Sequence, residues 1–282
     1  MSANLRFRAP ARAGRISSQG AAAALERSLP LRASAQLGVL AIIVAVYAGI
    51  TTAAPSLQRS FPTVTDLAVA AAHVMTSTSF WSAAGVTLQA AGLGLLISLI
   101  AGSVIGVVLS LHRNAYRSAQ FVLDFMRTVP PLAFIPVGLL LLGPTVRMEV
   151  TLIVASAVWP VIIQVYFGVR NIDPRLLETA RSYNISPIRR ILFIVAPAIA
   201  PSFATAVRLS ATMCLLLAVG TELLATGSGL GFLVGWYQQA TLVGEMYVTI
   251  AIVGLIGVAI NGILNLIEHR ALAWHRHEVK TQ

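Results

Sequence analysis

The sequence predicts an all-α protein, a polytopic transmembrane helix bundle of about six spans, from the length and recurrence of its apolar runs. Composition agrees. Of 282 residues 57% are hydrophobic and 11% charged, against about 25% charged in a soluble domain. Mean hydropathy is +0.80, so lipid must be the solvent for much of the chain. Basic residues, finally, are gathered in the tails and in alternate loops.

The spans are expected near Leu37–Ala54, Ala84–Leu111, Gln120–Gly143, Val150–Val169, Ile191–Leu224 and Glu245–Ile267, each holding the roughly 20 apolar residues a bilayer requires. The third is the least regular, because Pro130, Pro131 and Pro136 each remove a helical donor. Such breaks are tolerated where freed carbonyls face other helices or a water-filled path. Pro55–Phe80 is expected on the far side of the membrane, partly as a surface helix near Val64–Met75.

Orientation follows from the Lys/Arg bias. With the N-terminus inside, sixteen basic residues are cytoplasmic, and only Arg59 and Arg147 lie opposite. The positive-inside rule then places both termini in the cytoplasm. The Arg-rich first 32 residues resemble a targeting segment in composition, but the apolar stretch behind them is long enough to span. A cytoplasmic tail and an uncleaved first helix are the expectation. The domain plan is a tail (1–36), a first span with an external segment (37–80), a core (81–270) with a long cytoplasmic loop (170–197), and a second tail (271–282).

The net charge of +10 does not indicate nucleic acid, because no aromatics interleave with the basic residues and those residues follow the topology. Cys214 is the one cysteine, which excludes an intrachain disulfide and any multi-cysteine metal site. The five histidines are dispersed or lie near the C-terminus, and no metal motif forms.

The long loop is built in two capped pieces. Asp173 followed by Pro174 reads as an N-cap with proline at the first helical position. Leu176, Leu177, Ala180 and Tyr183 are expected on one face, with Arg175, Arg181 and Ser182 elsewhere. Asn184 stands where a left-handed terminator is needed, and Ser186-Pro187 repeats the cap. The residues alone leave two readings open, an ordinary connector or an element that docks a partner and transmits its motion.

The stretch resembles the EAA loop of ATP-binding-cassette (ABC) importer permeases, E-A-A, three residues, G, nine residues, then I-x-L-P. Here Glu178-Thr179-Ala180 is followed by Asn184 and by Ile194-Val195-Ala196-Pro197. Thr179, Asn184 and Ala196 depart from the pattern, though Asn184 keeps the turn chemistry and Thr179 is small. Phe125 to Pro136 is similar to the proline-rich third span of the nitrate/sulfonate/taurine branch. Val169–Pro174, Glu222 and Gly227–Gly231 are similar to other segments of that branch. The resemblance covers about Ser79 to His275 and implies the type I importer permease fold.

What the resemblance implies is a non-catalytic permease subunit in a bacterial inner membrane, one of two copies. Two cytoplasmic ATPase subunits and a periplasmic or lipid-anchored solute-binding protein complete the assembly. The docking set is Arg175, Leu176, Leu177, Glu178, Thr179, Ala180, Asn184 and Pro187. Arg127, Pro130, Pro131 and Glu222 are candidates for the translocation path, and a basic group there suits an anion such as a sulfonate, taurine or nitrate. A P-loop needs a lysine at the phosphates, but the only lysine is Lys280. No cofactor is expected in this chain, and ATP and Mg would be bound by the partner. An ion-gradient transporter is the alternative. It would show repeated halves and membrane-buried carboxylates, whereas only Glu222 and Asp124 approach membrane depth in this reading.

Overall fold

The computed structural model describes residues 38–39, 42, 44–52, 60–111, 113–225 and 227–272. The two tails, apart from the helical end of the last span, lie outside this set, as do six residues of the expected first span. Residues up to Val64 form one unit and the rest another. In the first, residues 44–52 are helical (α1), and the Tyr47 hydroxyl donates to the Pro62 carbonyl at 2.6 Å.

The second unit is helical in every described element. It comprises α2 (Val64–Thr76), α3 (Thr78–Leu111), α4 (Arg113–Thr128), a 3-10 turn (Pro131–Phe134) and α5 (Ile135–Leu142). Then come α6 (Val146–Arg170), α7 (Pro174–Ser182), α8 (Pro187–Arg190), a π segment (Ile191–Val195), α9 (Ala196–Ala225), α10 (Leu230–Gln239) and α11 (Val243–Ala271). Four helical runs are long and apolar enough to span, and a fifth span exists if the bent pair is counted as one. The expected sixth is the first, of which residues 38–39, 42 and 44–52 are described.

The centre of the bundle is α3 on α6, completed by α9. On α3 the buried residues Gly94, Ser98, Gly102, Gly106 and Ser110 recur every fourth position. They form a stripe on which β-branched residues of α6 sit. A Cβ on Gly102 would come within 2.6 Å of the Val161 Cβ, and one on Gly106 within 2.8 Å of the Ile162 carbonyl oxygen. Small residues let two backbones approach where lipid supplies no hydrophobic drive, so van der Waals packing holds the pair. Ala90, Ile153, Cys214 and Ala218 close the junction with α9, where Cys214 serves as a small apolar filler.

The third span departs from the prediction of a single irregular helix. It is two helices, residues 114–128 and 131–142, bent by 84°. Pro130 is extended at ψ 119, because a residue before proline is driven out of the helical region. The chain restarts in the 3-10 turn, with the Ala133 N–H donating to the Pro130 carbonyl at 3.0 Å. The fifth span begins earlier than expected: Pro187–Ala225 is one helical run of 39 residues. Pro197 and Pro201 remove two donors within it, and the π segment lies just before Pro197.

The seam between α3 and α6 is testable. Gly106→Val should lower stability by about 1–3 kcal/mol, the usual range for overpacking. Gly92→Ala should leave it unchanged, because nothing lies within 4 Å of a Cβ there. Thermal unfolding of the detergent-solubilised protein would measure both.

Candidate functional site

Two places concentrate the predicted site residues, and the first is the loop. The Asp173 carboxylate accepts the Arg175 N–H at 2.9 Å, and Pro174 occupies the first turn of α7. At the other end the Ile185 N–H donates to the Ala180 carbonyl at 3.0 Å and the Asn184 N–H to that of Arg181 at 2.9 Å. These two bonds close a Schellman motif, with Asn184 at φ 50 in the left-handed region. The second cap is simpler than expected: Pro187 opens α8, but the Ser186 hydroxyl makes no capping bond. The Ser186 carbonyl accepts from the Arg190 N–H at 2.9 Å.

The expected common apolar face of α7 is split. Ala180 is buried and Leu177 half-buried, so only that edge of the helix is covered. Leu176 is 51% exposed and Tyr183 79% exposed. They project away beside the exposed Arg175, Glu178 and Thr179. The reason is geometric: a nine-residue helix held at both ends contacts the bundle over barely one ridge, and the other apolar positions turn outward. Glu178 makes no ion pair among the described residues. Ile188 is also strongly exposed. Beside it a recess of about 560 Å³ is lined by Tyr183, Asn184, Ser186, Arg189 and Phe193, among others.

The second place is a cavity of about 550 Å³ created by the broken span. Arg127, Pro130, Pro131 and Leu132 form one wall, Ser156, Trp159, Pro160 and Gln164 of α6 another, and Leu209, Met213, Leu216 and Leu217 of α9 the third. Beyond the double proline the chain returns to α6 through Ile135, which packs with Met148 and Leu152, and the recess lies beside the bend. Arg127 stands 3.9 Å from Asp124 one turn earlier. Its guanidinium is thus partly neutralised and still half exposed. The lining is mainly apolar, with Arg127, Ser156 and Gln164 as polar points.

Glu222 is absent from that lining. Its carboxyl is fully buried, accepting from the Thr87 hydroxyl at 2.8 Å and the Gly231 N–H at 2.9 Å. It sits near the far end of α9, where it joins α3 and α10. The sequence reading also passed over Glu149, equally buried in the first turn of α6. Window hydropathy hides a single acid in an apolar run, although its position after the Thr145 N-cap is the signal that marks it. Arg208 pairs with Glu268 across α9 and α11 and donates to Asn265 at 3.4 Å. That pairing offsets the cost of charge at membrane depth. The lining residues of α6 and α9 carry no chemical signature, so only the bend exposes them as a wall.

The family described as "binding-protein-dependent transport system inner membrane component" matches residues 94–272. The nitrate import permease protein NrtB of Leptolyngbya laminosa is 28% identical over 193 residues, 68% of this chain and 69% of that protein. The putative aliphatic sulfonates transport permease protein SsuC of Bacillus subtilis (strain 168) is 25% identical over 234 residues, 83% of this chain and 85% of that one. In fold, the chain is similar to a subunit of a bacterial ABC transporter involved in import of the acidic polysaccharide alginate. That likeness has a TM-score of 0.61 at 13% identity and covers 87% of this chain and 98% of the other. By its family match and its fold, this chain belongs to the inner-membrane components of binding-protein-dependent transport systems, the permease subunits of ABC importers.

Proposed function

We propose that this permease forms the path of an importer for a small anion, driven by a separate ATPase subunit that docks on α7. One observation carries the reading: the run Pro187–Ala225 starts at the docking turn and continues into the cavity wall at Leu209, Met213 and Leu216. A push on α7 therefore has a stiff route to the cavity. α7 is held by its Asp173 cap and by the Schellman closure, and both leave it rigid relative to α8.

The outward Leu176, Tyr183 and Ile188 all lie in the loop. Exposed apolar groups rimmed by polar ones mark protein contacts. Glu178 supplies a charge there for a basic group on the ATPase. This chain has no phosphate-binding loop, so ATP and Mg belong to the partner. Two permease copies, two ATPase subunits and a periplasmic or lipid-anchored solute-binding protein make the working unit. The basic bias places α7 and both termini in the cytoplasm, and α2 and α10 outside. Arg127 in an otherwise apolar recess favours an anion carrying some apolar surface, in keeping with relatives named for nitrate and aliphatic sulfonates.

Glu178→Lys should leave membrane insertion intact and abolish co-purification of the ATPase subunit. Unchanged association and uptake would falsify the docking role. Asn184→Gly should preserve uptake, while Asn184→Val must pay roughly 1–2 kcal/mol for a left-handed residue. The valine variant is expected to show reduced ATP-driven uptake in vesicles. With Cys214→Ser as background, Ser182→Cys should react with a membrane-impermeant maleimide in inverted vesicles but not in intact cells. Labelling in intact cells would reverse the topology.

A further inference from the structure

α10 begins without a side-chain cap of its own. Its N-cap is Gly229, at φ 96, where a Cβ would collide with the Glu222 carboxyl. The first N–H groups of a helix have no partner within it. Here other helices supply the partners. The Leu230 N–H donates to the Thr87 hydroxyl oxygen of α3 at 2.8 Å. The Gly231 N–H donates to Glu222 Oε2 of α9 at 2.9 Å, and the Thr87 hydroxyl donates to the same oxygen at 2.8 Å. All these groups are buried, so each lost bond leaves an orphan that water cannot reach.

The turn of α9 that carries Glu222 also meets the cavity. Gly231 packs directly on the Val219 carbonyl and the Leu223 N–H. One turn back, Gly220 faces Leu132, whose Cδ2 would lie 3.1 Å from an added Cβ. Leu132, Leu216 and Leu217 all line the cavity. At its other end α10 is seated in the core formed by Val74, Phe80, Tyr237 and Val248. The end of the bundle opposite α7 is thus joined to the turn beside the cavity wall by this packing and by the buried Glu222 carboxyl.

We infer that Glu222 and Thr87 are positioning residues that transmit the docking of the solute-loaded binding protein, at the α10 end, to the cavity wall at Leu132 and Leu216. The inference rests on the importer reading above. It makes the Glu222 cap the counterpart, on the opposite side, of the α7 lever.

The test uses the reconstituted assembly of permease, ATPase subunit and binding protein in proteoliposomes. Basal ATP hydrolysis is compared with hydrolysis stimulated by the loaded binding protein. Thr87→Val removes the donor to Glu222 and the acceptor for Leu230 with little change of shape. It should keep basal hydrolysis and lose about fivefold or more of the stimulation, the lower end of ordinary coupling between sites. Thr87→Ser and Glu222→Gln, which retain the hydroxyl and an acceptor oxygen, should restore stimulation. If Thr87→Val responds like the wild type, or basal and stimulated rates fall in proportion, the transmission role is wrong. A wild-type assembly that ignores the loaded binding protein overturns the importer reading as well. A measurement free of variants is amide exchange in the wild type. On addition of the loaded binding protein, protection at Leu230–Gly231 and at Leu132–Ala133 should change together. Independent change would overturn the inference.

Discussion

Everything in this bundle depends on how closely α3 can approach α6. Between lipid-exposed helices there is no hydrophobic gain to spend, so contact distance decides the strength of association. The stripe from Gly94 to Ser110 places α3 against Ile153, Val161 and Val165 with no intervening side chain on its own side. The β-branched residues opposite have few rotamers to lose, so the contact is stiff as well as close. α9 then docks on the resulting pair, with the Ser210 hydroxyl donating to the Ala157 carbonyl at 3.0 Å. A rigid α3–α6–α9 unit is what allows other segments to be irregular without loss of the fold.

Those irregularities sit where motion or a solute would have to pass. The Pro130-Pro131 break borders a recess whose other walls are α6 and α9. The loop at one end is continuous with α9, and α10 at the other is joined to it by a short link, by direct packing and by a buried carboxyl. The two attachments differ in kind. The first is an unbroken helical run, whereas the second adds the two bonds that Glu222 accepts and the one between Leu230 and Thr87. The Arg208–Glu268 pair adds a lateral tie to α11 between them.

Much of this was legible in the residues. The apolar runs gave the spans to within a few positions, because bilayer thickness is a coarse ruler that composition alone satisfies. The loop was legible in finer detail, since Asp173, Pro174 and Asn184 act through local backbone chemistry that needs no tertiary context. The outward turn of Leu176 and Tyr183 was not, because which apolar edge of a short helix meets the bundle is set by its neighbours. Nor was the 84° bend, since prolines mark a break without fixing its angle. Glu222 was visible as an acid at depth, but its partners Thr87 and Gly231 lie far from it in sequence or across a turn. The stripe of small residues on α3 is periodic and readable in principle. Hydropathy averages erase it, because glycine and serine pass there as weakly apolar filler.

The π segment at Ile191–Val195 has a consequence for how such chains diversify. The Ala196 N–H reaches back to the Ile191 carbonyl, one residue further than in an ordinary helix. Each residue added to or removed from such a turn rotates everything on one side of it by about 100° relative to the other. The azimuth of the loop end is thereby uncoupled from the azimuth of the cavity wall, although one helical run carries both. A single-residue slip at this point re-aims the exposed surface around Ile188 and leaves the lining at Leu209, Met213 and Leu216 in place.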